Sequence, residues 1–228
     1  MLRPRNSREN IIARESSLVS YLYPRALIIQ FAKAPIVGQV KTRMLTRLNP
    51  QQCTELHRKL VRHTFLQLME DKVAPLALYV GGEDSSGFFT ELVSGFVPQA
   101  SIVAQTGEGL GERMHDAFEQ TLLLSSPVIL VGSDCPFFSQ EYFITAIDLL
   151  ESGQDAVLGP AEDGGYVMLG LKRVNPLLFQ DIEWGSPRVL AQTRERLLQL
   201  AWQWREMPSL LDIDEPADLV KAEKMGVL

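Results

Sequence analysis

The sequence predicts a single α/β domain: a mostly parallel sheet with helices on both faces. Short apolar runs alternate along the chain with segments of helical periodicity. One of these runs, PVILV at 127–131, leads straight into a polar turn, as a buried strand of such a sheet does. At 228 residues, 46% hydrophobic and 22% charged, the chain is long enough to bury one sizeable core.

Residues 26–32 read as the first buried strand. A helix follows over 51–70, where Leu56, Leu60, Thr64 and Leu68 fall four apart on one face. Residues 76–80 form the second strand, ended by Gly81-Gly82, and 101–104 a short third, with no element assigned between them. A helix is expected over 110–124, then the strand 127–131, then a helix over 140–151 capped by Ser139. Strands at 155–158 and 166–169 flank the loop GPAEDGG. Ser186-Pro187 reads as a capping hydroxyl and first-turn proline, with Val189, Leu190, Thr193, Leu197 and Leu200 at helical spacing behind them. Residues 202–205 close the sheet before the DIDEPADL turn and a final helix. Residues 1–24 read as an extension and 25–228 as the domain. The extension lacks the sustained apolar core of a secretory signal, and Glu9 and Glu15 count against a transit segment.

Charge and cysteine content narrow the function. No apolar run approaches the roughly 20 residues of a membrane span. Cys53 and Cys135 form neither a disulfide framework nor a zinc pattern, which fits a reducing, cytoplasmic setting. The net charge is −6, yet residues 1–47 hold nine Lys/Arg against two Asp/Glu. The remainder holds thirteen against twenty-six. Such a body is a poor partner for a nucleic-acid polymer, whose affinity comes from many phosphate contacts. A local basic segment suits a small anion better.

In an open α/β sheet, ligands bind beyond the carboxyl ends of the strands, so the chemistry is sought in the loops there. FAKAPIVGQVKTRML at 31–45 follows the first strand. It is not a Walker loop: lysine stands at 33, and only two residues separate Gly38 from Lys41. It is a turn bent by Pro35 and Gly38, in which Lys33, Lys41 and Arg43 converge on a diphosphate or form a solvated basic surface. In VGSDCP, Asp134 lies just past an apolar strand, as a ligand for Mg²⁺ or Mn²⁺ bridging a diphosphate or as a cap of the turn. Cys135 reads as a buried filler, and His57, His63 and His115 have no evident place beside it. GPAEDGG presents Asp163, a base or an orienter of a sugar hydroxyl, with Gly164-Gly165 allowing close backbone approach. It also reads as a plain hairpin turn. In DIDEPADL, Asp214 is expected as a helix N-cap, and Asp212 or Asp214 as a second oxygen ligand opposite Asp134. QTGEGLGERM, with Gly111 and Arg113, is a turn into a helix able to seat a nucleobase or ribose.

FAKAP with KTR, LGERM, SDCP, GPAEDGGY, DIEWGS and DIDEPADL, in that order, resemble a bacterial family, DUF2064, over roughly residues 25–225. It lies in the nucleotide-diphospho-sugar transferase superfamily and has members assigned as glycosyltransferases associated with arsenosugar biosynthesis. The resemblance implies a GT-A-like (Rossmann-like) fold and a glycosyltransferase drawing on a nucleotide-sugar donor and a small-molecule acceptor. It implies that Lys33, Gly38, Lys41, Arg43, Gly111 and Arg113 lie on the nucleotide side, and Gly164, Gly165, Tyr166 and Trp184 on the acceptor or sugar side. Asp134 and Asp163 would then be catalytic, and Asp134, Asp214 and Asp212 the metal ligands. Gly109, Phe137-Phe138 and Glu183 depart from the family's usual residues. Two other readings stand beside it: a nucleotidyltransferase resembling the phospholactate guanylyltransferases, which releases pyrophosphate, and a non-catalytic nucleotide-binding protein. Whether the chain forms a homodimer is open.

Overall fold

Seven strands form one sheet in the order β3-β2-β1-β4-β6-β5-β7. The computed structural model describes residues 20–96 and 100–226, so residues 1–19 of the expected extension lie outside it. The elements run β1 (Leu27–Lys33), α1 (Pro50–Asp71), β2 (Leu76–Gly81), α2 (Phe88–Ser94), β3 (Ala100–Ala104), α3 (Leu110–Leu122), β4 (Val128–Val131) and α4 (Gln140–Glu151). They continue with β5 (Ala156–Pro160), β6 (Tyr166–Leu171), α5 (Val189–Gln199), β7 (Trp204–Glu206) and α6 (Pro216–Lys224). Short 3-10 turns occupy Thr42–Thr46 and Pro176–Phe179. No described helix is long and apolar enough to cross a membrane.

β1 pairs in parallel with β2 and with β4, placing Ile29 between Ala77 and Leu130. The chain moves outward from β1 through β2 to β3, then returns to the other side of β1 to make β4. That reversal opens a crevice at the carboxyl ends of β1 and β4. β6 alone runs against its neighbours, antiparallel to both β4 and β5. The GPAEDGG segment is therefore a hairpin tip, and it stands at the same end of the sheet as the crevice.

Strand pleating divides the core, because successive side chains point to opposite faces. Ile28, Leu78, Ile129 and Val157 pack with Phe65 of α1, Phe89 of α2 and Phe143 of α4. Ile29, Leu130, Leu158 and Leu169 pack on the other face with Phe118 of α3 and Leu190 and Leu197 of α5. A third cluster joins Met44, Leu60, Ile213 and Leu219, tying the basic loop and α6 to α1.

Helix starts follow local chemistry, with three differences from the expectations. Asn49 and Gln52 form a reciprocal capping box at α1, and the Ser139 hydroxyl accepts from Tyr142 N at α4. The seven-residue α2 is additional; its start is held by the Asp84 carboxylate, which accepts from Phe89 N at 2.9 Å. Arg188, not Ser186, is the N-cap residue of α5, and the Ser186 hydroxyl accepts one step early, from Arg188 N. Glu215, not Asp214, caps α6: it forms a box with Asp218, and Pro216 holds the first helical position. The Asp214 carboxylate is thereby released for other work.

Truncation should separate core from surface. Phe143 is fully buried, so Phe143→Ala is expected to lower the unfolding free energy by about 3–5 kcal/mol. Leu124→Ala, on a side chain 89% exposed, is expected to change it by less than about 0.5 kcal/mol. Urea unfolding followed by circular dichroism checks both.

Candidate active site

A cleft of about 570 Å³ opens at the switch point and is lined by Lys33, Lys41, Arg43, Arg113, Asp134 and Asp214, among others. Four chain segments distant in sequence build it, the loop after β1, the turn from β3 into α3, the turn after β4 and the segment before α6, with His57 of α1 completing the wall.

The basic loop reverses at Gly38, whose φ of 80° suits glycine. Lys41 also adopts the left-handed region, with φ 50° and ψ 39°, uncommon for a residue with a Cβ. That turn sends the lysine inward, leaving its side chain only 2% exposed. The ammonium donates to Ile213 O, lies 2.8 Å from Asp134 Oδ1 and is 3.8 Å from Asp214 Oδ1. The Ile213 carbonyl is its hydrogen-bond acceptor, Asp134 its close ion-pair partner, and Asp214 a charge beyond hydrogen-bonding distance. At 2.8 Å and an effective dielectric near 20, the Lys41–Asp134 attraction is about 6 kcal/mol. Desolvation costs several kcal/mol per buried ion, so the pair adds little net stability. Its effect is placement: it holds two carboxylate-bearing segments against one point.

Arg43 extends outward from the 3-10 turn. Its Nη1 donates to Asp214 Oδ2 at 2.7 Å and its Nη2 to Gly185 O at 3.0 Å. Lys33, at the end of β1, is exposed and has no ion pair among the described residues.

Asp134 is held from both sides. The buried Gln30 amide donates to Ser133 Oγ and to Val61 O, and Ser133 Oγ donates to Phe31 O at 2.7 Å. This chain locks the turn after β4 to β1 and α1. Ile213 N donates to Asp134 O at 2.9 Å, which docks the pre-α6 segment beside the turn. Burial pushes the Asp134 carboxyl up, but the charge and contact of Lys41, helped by His57 and Lys33, outweigh it and hold it below the usual carboxylate range. The side chain remains 43% exposed to the cleft.

Asp212 behaves in the opposite way. Burial first, then the Asp163, Asp134 and Asp214 charges, push it up to about 6. Asp163 stands at the hairpin tip, where its Oδ1 accepts from Gly165 N at 2.8 Å. The four aspartates therefore share one electrostatic neighbourhood, with Lys41 as its buried counter-charge.

The other expected residues fall around this centre. Arg113 lines the cleft and donates from Nε to Gly107 O. Gly111 lies under the loop between β6 and α5: a Cβ there would come within 2.7 Å of Trp184 Nε1 and 2.8 Å of Phe179 O. Trp184 meets Tyr166 edge to face, 6.4 Å between ring centres. Burial pushes the Tyr166 hydroxyl up, and it faces Thr193 of α5. Gly164, with φ 92°, passes so close to Pro187 O that a Cβ would collide at 2.3 Å. Gly164, Gly165, Tyr166 and Trp184 thus knit the hairpin to the start of α5, beside the cleft.

Two histidines lie beside the Asp134–Pro136 turn, against the expectation from sequence. His57 Nε2 bonds Lys33 O at 2.9 Å and lines the cleft; burial lowers its pKa. His63 Nε2 meets Pro136 O at 3.2 Å. Both sit on α1, and their spacing along the helix carries no sign that this face meets the turn. Gln30, Ser133 and Gln105 were likewise unmarked, Gln105 donating to Tyr79 O at 2.9 Å. A polar residue inside the apolar run of β1 was the signal available for Gln30. Cys135 is buried, which pushes its thiol up to about 12 and keeps it protonated.

Among the described residues, no group of three His, Cys, Asp or Glu side chains is disposed to hold a metal alone. Both Asp214 oxygens face cations, and one Asp134 oxygen faces Lys41. This donor set fits Mg²⁺ or Mn²⁺, which take one or two carboxylates and fill their shell with water and substrate phosphates. It does not fit a cage made by the protein alone.

The family model for "Uncharacterized protein conserved in bacteria (DUF2064)" matches residues 60–186, more than half the chain. Among solved structures, a candidate nucleotide-diphospho-sugar transferase from Desulfovibrio desulfuricans G20 is 30% identical, with a TM-score of 0.77 over 86% of this chain and 85% of that one. The 4-diphosphocytidyl-2C-methyl-D-erythritol synthase of Anaerococcus prevotii DSM 20548 shares the fold at 11% identity and TM-score 0.62, over 89% and 96% of the two chains. The inositol-1-phosphate CTP transferase of T. maritima does so at 13% and 0.57, over 90% and 96%. No curated protein matches the chain.

The Asp212 shift carries a sign. Between its unfolded value near 3.8 and about 6 the folded state keeps a proton that the unfolded state has lost, so stability falls as pH rises through that window. Asp212→Asn, measured in EDTA by urea unfolding, is expected to remove this slope. It should stabilise the protein by up to about 3 kcal/mol at pH 8 and by little at pH 4.

Proposed function

The chain belongs to the DUF2064 family of bacterial proteins, and from that premise we propose that it is a glycosyltransferase using a nucleotide-diphospho-sugar donor and a small-molecule acceptor. One observation carries this reading: a cleft at the sheet's switch point brings cations from the loop after β1 together with carboxylates from the turns after β4 and before α6. The candidate nucleotide-diphospho-sugar transferase of 30% identity supports it.

In this reading Lys33, Arg43 and Arg113 bind the donor diphosphate, Arg43 gripping two oxygens with its fork and Lys33 acting as a point charge. Gln105 ties the cleft wall to the ends of β1 and β2, donating to Ala32 O at 3.4 Å and Tyr79 O at 2.9 Å. Asp134 would hold Mg²⁺ or Mn²⁺, with Asp214 and Asp212 nearby. When bound, that ion supplies charge neutralisation to the leaving diphosphate. The carboxylate is ready for this because Lys41 keeps it ionised across the physiological range. Asp163, exposed at the hairpin tip with one oxygen outside its turn bond, accepts the proton of the acceptor hydroxyl. Gly164 and Gly165 let backbone approach the acceptor there. Cations aimed at the charge that grows on the leaving group are the main source of acceleration.

Nucleotidyl transfer from a nucleoside triphosphate is the alternative, and the products separate the two. Incubated with Mn²⁺, nucleotide-sugars and an acceptor panel, the chain is expected to release nucleoside diphosphate. Pyrophosphate from nucleoside triphosphates would replace this reading with the alternative; binding without either product would make the chain a non-catalytic binder. Asp134→Asn is expected to lower turnover at least about 100-fold when assayed at a temperature where circular dichroism shows it folded, and, because it leaves the Lys41 ammonium buried without its counter-charge, to lower stability by about 3–5 kcal/mol. Lys33→Ala is expected to weaken nucleoside diphosphate binding roughly tenfold and to leave nucleoside binding unchanged, as calorimetry would read.

A further inference from the structure

Resting on the reading that the cleft takes a diphosphate, we infer that Asp214 is a built-in substitute for that anion, so that the cleft accepts a diphosphate together with a divalent cation and disfavours the metal-free form. The Asp214 carboxylate stands against two cations of the basic loop, as an incoming anion would. Its Oδ2 lies 2.7 Å from Arg43 Nη1 and its Oδ1 3.8 Å from Lys41 Nζ. A guanidinium offers a carboxylate the same fork that it offers a phosphate. Arg43 is therefore already committed before any ligand arrives, with its second nitrogen on Gly185 O.

Helix capping does not account for Asp214. Helix α6 is capped by Glu215 and Asp218, not by Asp214. The two Asp214 oxygens face two of the three cations of the basic loop, Lys41 and Arg43. The pair with Arg43 is also the exchangeable one: those side chains are 49% and 33% exposed, against 2% for Lys41. Ion pairs with such exposure are worth about 0–1 kcal/mol, so exchanging partners costs little. The Lys41–Asp134 contact is the fixed half.

The consequence is a swap of partners. A metal-free diphosphate must displace Asp214 from Arg43, leaving that carboxylate with only the more distant Lys41, at 3.8 Å, amid the carboxylates of Asp134, Asp163 and Asp212. When a divalent cation accompanies the diphosphate, Asp214 gains a new counter-charge as it gives up Arg43. The charges then balance on both sides. Cation and diphosphate thus raise each other's affinity by the same factor, as linkage requires. Asp214 sets which charge form of the ligand binds, without touching the transferred group.

Inorganic pyrophosphate titrated calorimetrically into the full chain, in EDTA and with Mn²⁺, tests this whichever nucleobase the cleft takes. Wild type is expected to bind roughly tenfold tighter with Mn²⁺. Asp214→Asn and Asp214→Ser, both checked for folding by circular dichroism, are expected to bind metal-free pyrophosphate roughly tenfold tighter than wild type and to lose most of the Mn²⁺ effect. A residue that is only a metal ligand would lose the Mn²⁺ effect with no gain in EDTA. Unchanged or weaker metal-free binding in both variants, with wild type still taking pyrophosphate in Mn²⁺, overturns the inference and leaves the proposed function standing. Equal wild-type affinity with and without Mn²⁺ overturns it as well. If no form binds pyrophosphate or a panel of nucleoside diphosphates under either condition, the diphosphate reading itself falls and takes the inference with it.

Discussion

A single buried ammonium organises this end of the molecule. Lys41 reaches inward from a left-handed backbone turn and meets Asp134, Asp214 and the Ile213 carbonyl at one point. Those groups come from the turn after β4 and the segment before α6, which the sheet alone does not bring together. Ile213 N completes the junction by donating to Asp134 O. Because Coulomb gain and desolvation nearly cancel for such a pair, its value lies in geometry. It sets the spacing of the carboxylates that face the cleft and keeps Asp134 ionised.

The same arrangement makes the site a balance of charges instead of an open basic pocket. Arg43 holds Asp214, Lys41 holds Asp134, and Lys33 faces the cleft without an ion-pair partner among the described residues. Asp212, surrounded by carboxylates and largely covered, keeps its proton to about pH 6. A ligand entering here must fit a nearly neutral set of paired groups, which favours one carrying both signs. The proposed donor, a sugar diphosphate with its cation, is such a ligand, and a long polyanion is not.

Much of this was legible in the chain itself, for identifiable reasons. Val128–Val131 and Leu27–Lys33 are short, apolar and bounded by turns, so they read as buried strands. A carboxylate and a cluster of cations directly past such strands have few other places to go than the crevice, which is why Asp134, Lys33, Lys41 and Arg43 were visible. Helix α2 was not, because seven residues begun by a glycine carry too few turns to register as a period. The direction of β6 was hidden too, since a strand's residues do not reveal which way its neighbours run. The capping of α6 fell to Glu215 because Pro216 fixes the first helical position one residue later than the aspartate requires.

By itself the sequence determined the α/β class, the loops that meet at the cleft and the charge types in them, since apolar period, turn residues and ionisable groups are local properties of the chain. Only the tertiary structure decided which charges neutralise one another. It turned Lys41 inward and Arg43 outward from a loop where they are two residues apart, and it brought His57 and His63 to the Asp134 turn. It freed Asp214 from capping and faced it toward Arg43. Electrostatic partners are chosen by distance and burial across segments about 170 residues apart. Those quantities exist only once the chain has closed on itself.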